Sequence, residues 1–198
     1  ASRDEQEVAG YANTLSLIYS SWEDMPLSEN LIKQLHASLL RLSDKDVRHM
    51  GSYKTVENSV AAMKDGKVVG VVFKTATPFE TPFLMQQLVV WYNEETERRV
   101  YHPLLLISVF ITAFLAIHPF QDGNGRLSRV LTTLLLLRSG FAYVPYSSIE
   151  SVIEKSKAAY YLNLRQSQMT MEEDHPNWRP FFDYFLSCLL YTSDAADE

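Results

Sequence analysis

The chain has 198 residues, of which 46% are hydrophobic and 21% charged, and its formal net charge is −6. This composition is that of one globular domain, and the negative charge argues against broad electrostatic attraction to nucleic acid. The longest uncharged run, residues 103–117, is too short to span a bilayer and predicts a buried helix. A single cysteine, Cys188, excludes an internal disulfide, which fits a reducing compartment, most simply the cytoplasm.

In chain order, the hydrophobic pattern predicts an all-α, mostly helical domain with one β-hairpin. Apolar residues recur at helical spacing in two N-terminal segments, residues 4–24 and 27–42. Two short segments, the second rich in valine, flank an Asp65-Gly66 turn and predict a hairpin over residues 58–75. Helical spacing then returns in residues 82–95, 103–117, 126–137, 147–169 (with Ser147 or Ser148 as the cap) and 171–190.

These segments predict one domain over residues 1–187, with no internal repeat or linker. Its parts are the N-terminal helices (1–50), a hairpin region (51–80) and a helical core (81–187). The end of the chain, residues 188–198, resembles the translated end of a sequencing-library transposon. We expect these last residues to be non-native or disordered, and we assign them no function.

A polar loop interrupts the most apolar part of the chain, where "HPFQDGNGRLSR" occupies residues 118–129. Gly123 and Gly125 allow positive φ and close backbone approach, and the N–H groups of the restarting helix can bind an anion. Arg126 and Arg129 share one face near the first turn, where cations are unfavourable unless an anion compensates them. The two arginines therefore predict a polyanionic ligand, and guanidinium groups suit phosphate.

Two further residues of the loop add chemistry to this phosphate site. Asp122 is a lone carboxylate beside the predicted phosphates, which is a common way to hold Mg²⁺. His118 could take a proton from an attacking hydroxyl. Together these groups indicate phosphoryl or nucleotidyl transfer. No Gly-Lys-Ser/Thr follows, so the loop is not a P-loop. A transition-metal pair of His118 and Asp122 is a weak alternative, because no third ligand lies nearby in the sequence.

The loop also resembles a known family. The pattern HxFx[D/E]GNGRxxR of the Fic (filamentation-induced-by-cAMP) family, within the Fic/Doc superfamily, is filled at every fixed position by His118, Phe120, Asp122, Gly123, Asn124, Gly125, Arg126 and Arg129. Stretches outside the loop, such as "GYANTLSLI", "GSYKT", "GVVFKTATPFETP" and "YYLNL", are similar to those flanking the motif in bacterial Fic proteins. The resemblance covers most of the chain.

This resemblance implies transfer of AMP from Mg·ATP to a Ser, Thr or Tyr hydroxyl of a target protein, with release of pyrophosphate. It implies that His118 is the general base, Asp122 the Mg²⁺ ligand and Phe120 the buried anchor of the loop. Catalytic roles are implied for His118, Asn124 and Arg126. ATP contacts are implied for Gly123, Asn124 and Gly125 at the anion hole, for Arg126 and Arg129 at the β- and γ-phosphates, and for Tyr160 and Tyr161 on the adenine side.

Two features of the resemblance concern the choice of reaction and of target. Relatives of the Doc type carry lysine where this chain has Gly125, and they transfer the terminal phosphate, so glycine favours AMP transfer. In the family the hairpin is a flap that aligns the target by strand-like pairing, and residues 51–80 supply such a flap here. For the two adjacent tyrosines, spacing alone indicates that at least one of Tyr160 and Tyr161 belongs to the core.

Family members are often inhibited by a helix with the pattern [S/T]xxxE[G/N], whose glutamate pairs with the second motif arginine. The pairs Glu29-Asn30 and Glu57-Asn58 have Met25 and Tyr53 in the lead position, so neither fits. We therefore expect that an inhibitory helix, or an antitoxin-like regulator in its place, is absent from this chain. Arg129 would then be free for ATP.

Other interpretations of the same residues stay open. The site could run another phosphate-group transfer or the removal of AMP, or the domain could bind nucleotide without catalysis. A plain polar turn is a further alternative for the loop. Outside it, His36 and His49 are interpreted as surface or capping residues, and His102 as a helix-start residue. Arg48 and Lys54 are interpreted as solvated charges.

Overall fold

A computed structural model describes residues 3–43, 48–64, 67–142 and 149–194. Its helices are α1 (Arg3–Ser21, followed by a 3₁₀ turn at Trp22–Asp24), α2 (Glu29–Leu40), α3 (Thr81–Arg98), α4 (Pro103–Ile117), α5 (Asn124–Arg138), α6 (Ile149–Lys155), α7 (Lys157–Gln168) and α8 (Arg179–Asp194). The strands are β1 (Ser59–Lys64) and β2 (Lys67–Lys74). The predicted mostly helical fold with one hairpin is therefore confirmed. No helix within the described ranges is long and apolar enough to cross a membrane.

Helix α4 lies at the centre of the domain and contacts α3, α5, α7 and α8. Its apolar residues are buried around most of its circumference, which is typical of a central helix. His102 caps its start, where Nδ1 accepts a hydrogen bond from the Leu104 N–H at 3.2 Å, and Pro103 follows at the first helical position. His102 is thus the helix-start residue that the sequence predicted.

Helices α4 and α5 place the polar loop at one end of the core. Helix α4 ends at Ile117, and His118 follows it in the left-handed conformation at φ 53°. Helix α5 begins after Gly123, which adopts φ 81°. At this φ a residue with a Cβ would be strained, so glycine suits the position, although the space beside it would admit a Cβ at ordinary contact distance from His36. The loop is therefore a tight connection between two buried helices.

The predicted hairpin is an antiparallel pair of β1 and β2, with Ser59 opposite Lys74 and Lys64 opposite Lys67. Its register shifts at two places in β1, between residues 60 and 61 and between residues 62 and 63. The Asp65-Gly66 turn lies outside the described residues. An isolated two-stranded hairpin is only marginally stable, so the contacts at its base are important. Those contacts join it to the polar loop, as described below.

The C-terminal part differs from the sequence prediction in two respects. The helix predicted over residues 147–169 is divided into α6 and α7, and Ser156 at the division bonds to the Val152 carbonyl at 2.6 Å and to the Tyr184 hydroxyl at 2.7 Å. The predicted caps at 147 and 148 lie outside the described residues. Helix α8 continues through residue 194 with Cys188 and Leu189 buried, so residues 188–194 are helical rather than disordered. Their non-native origin and the domain boundaries stay predictions.

Candidate active site

The side chain of Asn124 closes the loop from inside. Its Oδ1 accepts a hydrogen bond from the Phe120 N–H at 2.9 Å, and its Nδ2 donates to the Phe120 carbonyl at 2.7 Å. Asn124 is buried, so both bonds are shielded from water. The side chain predicted to form an anion hole therefore shapes the loop. At the helix start, the first N–H groups of α5 have no partner within the helix and remain suited to an anion.

The ring of Phe120 anchors the loop in the core. It is fully buried and stacks on the His36 ring with centroids 3.8 Å apart. His36 is also fully buried, so its interpretation as a surface or capping residue was wrong. Its Nε2 lies 2.9 Å from the Asp122 carbonyl, and its Nδ1 accepts from the Gly51 N–H at 3.0 Å. Because a carbonyl only accepts, Nε2 carries the proton and donates to Asp122.

The local sequence held a signal for His36. This residue shares the buried face of α2 with Ile32, Leu35 and Leu39, as its position one turn after Ile32 indicates. A histidine within an apolar stripe needs a polar partner, and here the partner lies 86 positions away along the chain. His49, in contrast, is exposed.

His118 is oriented as a neutral base. It is half-buried, and its Nδ1 lies 3.2 Å from the Leu115 carbonyl. Because a carbonyl only accepts, the proton sits on Nδ1 and Nε2 is the basic nitrogen. Burial lowers the pKa of His118 below its ordinary value, and the Lys54 cation lowers it further, against the opposing effects of the Leu115 carbonyl and Asp122. The imidazole is therefore held in the form that accepts a proton.

Lys54 is buried beneath the loop, with 4% of its surface exposed, so its interpretation as a solvated charge was wrong. Its Nζ donates to Asn58 Oδ1 at 2.7 Å, to Thr75 Oγ1 at 3.1 Å and to the Ile117 carbonyl at 2.9 Å. Burial lowers the pKa of Lys54 to about 8, although Glu57 and Glu80 act in the opposite direction. Arg48, the other residue interpreted in this way, is exposed.

Both loop arginines contact carboxylates from distant helices. Arg126 Nη1 lies 3.1 Å from Glu7 Oε2, and its Nη2 lies 3.6 Å from Asp122 Oδ1. Arg129 Nε pairs with Glu150 Oε2, which also accepts a hydrogen bond from the Tyr11 hydroxyl at 2.9 Å. The expectation that Arg129 is free was therefore wrong.

The charged groups of these ion pairs are close, but the arginine N–H bonds are poorly aligned with the carboxylate oxygens. Arg126 Nη1 and Arg129 Nε are buried, and neither makes a well-aligned hydrogen bond within the described residues. Burial alone would lower the pKa of Arg129, but Glu150, Tyr11 and Tyr160 raise it above its ordinary value. The Arg129 guanidinium thus stays charged. Part of the hydrogen-bonding capacity of both arginines is unmet within the described residues, and a polyanion could supply it.

Asp122 presents a half-exposed carboxylate beside this cluster, with 43% of its side chain accessible. Its Oδ1 accepts a hydrogen bond from the Gly123 N–H at 2.6 Å. The described residues contain no group of three His, Cys, Asp or Glu side chains that could hold a metal ion by themselves. A single carboxylate nevertheless suits Mg²⁺, which keeps waters and takes further oxygens from bound phosphates.

The two tyrosines predicted to line the adenine side occupy different environments. Tyr160 is buried against Phe181 and Tyr184, whereas Tyr161 is 51% exposed. Tyr160 and Arg129 line a small cavity of about 20 Å³, which has room for about one water molecule. Tyr160 is therefore the core member of the pair, and this cavity is too small for a purine base.

The family comparison matches the region that contains this loop. The profile of the Fic/DOC family matches residues 26–136, which is more than half of the chain. The chain belongs to the Fic/DOC family. The matched residues contain the loop, His36 and Lys54, whereas Glu7 and Glu150 lie outside them.

Individual relatives and structures agree with this family. A protein adenylyltransferase Fic from Drosophila mojavensis is 27% identical over 168 residues, which cover 85% of this chain and 30% of that protein. A probable protein adenylyltransferase from Aquifex aeolicus is 32% identical over 95 residues, which cover 48% of this chain and 29% of that protein. The crystal structure of a Fic domain containing signaling protein from Bacteroides thetaiotaomicron is 32% identical, with a TM-score of 0.78 over 98% of this chain and 71% of that one. This chain spans about a third of the length of the curated relatives it matches.

Within the Fic/DOC loop, the structure brings together the predicted base, carboxylate and arginines. Four residues have roles here that were not predicted from the sequence: His36 and Lys54, which hold the loop, and Glu7 and Glu150, which contact its arginines. Each of these contacts joins positions far apart in the chain, so the loop motif does not indicate them, and the apolar stripe of α2 indicates only that His36 is buried.

Proposed function

We propose that this Fic/DOC protein is a protein adenylyltransferase. It transfers AMP from Mg·ATP to a Ser, Thr or Tyr hydroxyl of a target protein and releases pyrophosphate. The observation that carries the proposal is the state of His118, whose Nδ1 bonds to the Leu115 carbonyl and whose Nε2 is a neutral base in the same loop as Asp122 and two arginines. The names of the curated relatives support the choice of reaction.

The proposed step uses this geometry directly. The target hydroxyl oxygen attacks the α-phosphorus of ATP while His118 Nε2 takes its proton. The bond from the α-phosphorus to the bridging oxygen breaks, and pyrophosphate leaves with the electron pair. Positive charge near the leaving group stabilises the transition state in this kind of reaction. Arg126 and Arg129 supply that charge once the phosphates take the place of their carboxylate partners.

Magnesium has a suitable ligand in this loop. When bound, Mg²⁺ would neutralise phosphate charge and orient the polyphosphate. Asp122 would hold it, because its carboxylate is half-exposed beside Arg126 and is a hard oxygen donor. The N–H groups at the start of α5, from residues 124–126, would bind phosphate oxygens at the same end of the loop.

The same proposal includes how the target protein binds and the cellular compartment of the enzyme. The target would add a strand to the hairpin of β1 and β2, whose base adjoins the loop. The single cysteine and the Bacteroides structure support a bacterial cytoplasmic protein. An inhibitory helix or an antitoxin-like regulator outside this chain stays a prediction.

Label transfer tests the reaction. The purified chain is incubated with Mg²⁺, a bacterial lysate and ATP labelled at the α- or the γ-phosphate, and protein-bound label is measured. We expect label from the α-position only, none with His118→Ala, and full transfer with the exposed control His49→Ala. Label from the γ-position would indicate phosphate transfer, and absence of label with ATP still bound would indicate a nucleotide-binding module. Either result would contradict the proposal.

A further inference from the structure

The main chain around His118 is held by two residues from outside its own loop, Lys54 and Asn58. The four successive carbonyls of residues 117–120 all accept hydrogen bonds from Lys54 or Asn58. Lys54 donates from Nζ to the Ile117 carbonyl at 2.9 Å and from its backbone N–H to the Pro119 carbonyl at 2.8 Å. Asn58 donates from Nδ2 to the His118 carbonyl at 3.2 Å and to the Phe120 carbonyl at 2.9 Å. These contacts fix each peptide unit of the segment that carries the base.

Such external support has a physical reason at this position. His118 adopts φ 53° and ψ 60°, and this left-handed conformation is sparsely populated by residues that carry a Cβ. A residue persists in such a conformation only when its surroundings over-determine it. Here the conformation turns the chain out of α4 and into the loop, so losing it would move the base.

The same network closes the base of the hairpin. Asn58 immediately precedes β1, and Thr75 immediately follows β2. The Thr75 hydroxyl lies 2.7 Å from the Asn58 carbonyl and 2.6 Å from Asn58 Oδ1, and it accepts from Lys54 Nζ at 3.1 Å. Lys54 is therefore the group that contacts both ends of the hairpin and the last carbonyl of α4.

The charge of Lys54 acts on the base as well. All three acceptors of its Nζ are neutral, so the cation is not compensated by these contacts. Glu57 and Glu80 attract it from a greater distance, and Asp122 acts on His118 in the opposite direction to Lys54. The buried cation thus favours the neutral form of His118.

We propose that Lys54 is a positioning residue, which fixes the His118 main chain in its left-handed conformation and ties it to the base of the hairpin. A target strand on the hairpin and the base on the loop then keep a constant distance, which matters because a 1 Å misplacement can cost about 100-fold in rate. This inference rests on the proposed function for its catalytic meaning, but its structural content can be measured without ATP or target.

The experiment compares Lys54→Met with Lys54→Arg. The first removes the positive charge and the side-chain hydrogen-bond donors, and the second keeps a positive charge and side-chain donors. Lys155→Met, at an exposed position at the end of α6, is the matched control. In Lys54→Met we expect the pKa of His118 to rise, as measured by NMR titration. We also expect kcat for label transfer to fall about 10- to 100-fold, with the KM for ATP unchanged. Lys54→Arg should keep the low pKa of His118.

Two results would overturn the inference. One is a His118 titration and kcat in Lys54→Met that equal those of the control; the other is a change confined to the KM for ATP. If Lys54→Met does not fold, Thr75→Val provides the test, since it removes one acceptor of Lys54 and the bridge to Asn58. It should lower kcat several-fold and shift the amide resonances of Ile117, His118 and Phe120, and unchanged values would contradict the inference. If neither the parent chain nor any variant transfers label, the proposed function fails. The titration of His118 still decides whether Lys54 is a positioning residue.

Discussion

The two ends of the site loop are held by different kinds of contact. At the His118 end, the main chain is held by buried Lys54 and half-buried Asn58, whose hydrogen bonds go to neutral carbonyl groups. At the arginine end, the guanidinium groups face carboxylates of Glu7 and Glu150, whose side chains are 24% and 41% exposed. Buried hydrogen-bond networks specify one geometry, whereas partly exposed ion pairs are weak and can exchange partners. If the proposed function holds, the base is positioned before substrates bind, and the arginines exchange their carboxylate partners for phosphate on binding.

This contrast also separates positioning from affinity. Changes at the His118 end should lower turnover, because they alter a fixed geometry. Changes at the arginine end should alter ATP affinity, and the direction depends on whether the arginine or its carboxylate is removed.

The strongest test at the loop itself is Asn124→Ala. It removes both hydrogen bonds to Phe120 and leaves the buried Phe120 N–H without its partner, so we expect unfolding free energy to fall by about 1–3 kcal/mol. The loop would also lose its closed shape, and turnover should fall by about 100-fold or more. Chemical denaturation and label transfer measure the two effects. Asn163→Ala is the control, because Asn163 donates a hydrogen bond to the Ala159 carbonyl at the surface of α7. Equal stability of the two variants would show that Asn124 does not close the loop.

Removal of a phosphate arginine should affect binding most. In Arg129→Ala the charge expected at the polyphosphate is lost, and charge-assisted hydrogen bonds contribute about 1.5–3 kcal/mol. We expect ATP affinity, measured by calorimetry, to fall about 10- to 100-fold, in line with that energy. Arg179→Ala, which removes an exposed arginine paired with Asp183, should leave ATP affinity unchanged. Undiminished ATP binding in Arg129→Ala would remove this residue from the phosphate site.

Removing the charge of Glu150, the carboxylate partner of Arg129, should change ATP affinity in the opposite direction. Glu150→Gln removes a negative charge that competes with phosphate for Arg129, and partly exposed ion pairs contribute about 0.2–1 kcal/mol. We therefore expect ATP to bind about 1.5- to 5-fold more tightly. Glu154→Gln is the control, since Glu154 lies one turn further along α6 and pairs with Lys157 at the surface. Weaker ATP binding in Glu150→Gln than in the control would mean that Glu150 supports the nucleotide site rather than competing with it.

The smallest effect concerns pH. The pKa of His118 is lowered by burial, so the base stays deprotonated below the ordinary histidine value near 6.5. Activity should fall as the pH decreases through the lowered pKa of His118, and the midpoint of the acid limb of kcat/KM should lie below about 6.5. A midpoint above that value would show that His118 is not held neutral. The profile is best recorded at constant ionic strength, because screening alters the effect of Lys54.

The sequence predicted the parts of this site that depend on local spacing. The loop motif contains the base, the carboxylate and both arginines within twelve residues, and the apolar runs on each side predicted the helices that carry it. The hairpin was predicted from its central turn and its valine-rich second segment. These features depend on neighbours in the chain, and periodicity describes neighbours well.

The contacts that hold the loop could not be predicted in this way. Lys54 reaches the Ile117 carbonyl across 63 positions, and Tyr11 reaches Glu150 across 139. A lysine in a polar connector is usually solvated, and only the folded chain shows that this one is buried among acceptors. The acidic partners of the arginines come from α1 and α6, at opposite ends of the sequence. Tertiary packing, which leaves no local pattern, decides these contacts.

Transfer of AMP to protein by this loop, with His118 as the base, leaves a characteristic mass on the modified protein. The chain and His118→Ala are incubated with Mg·ATP and a bacterial lysate, and modified peptides are identified by mass spectrometry. We expect peptides that gain one adenosine monophosphate group on Ser, Thr or Tyr with the parent chain, and none with the variant. Peptides that gain only a phosphate, or AMP transfer that persists in His118→Ala, would contradict it.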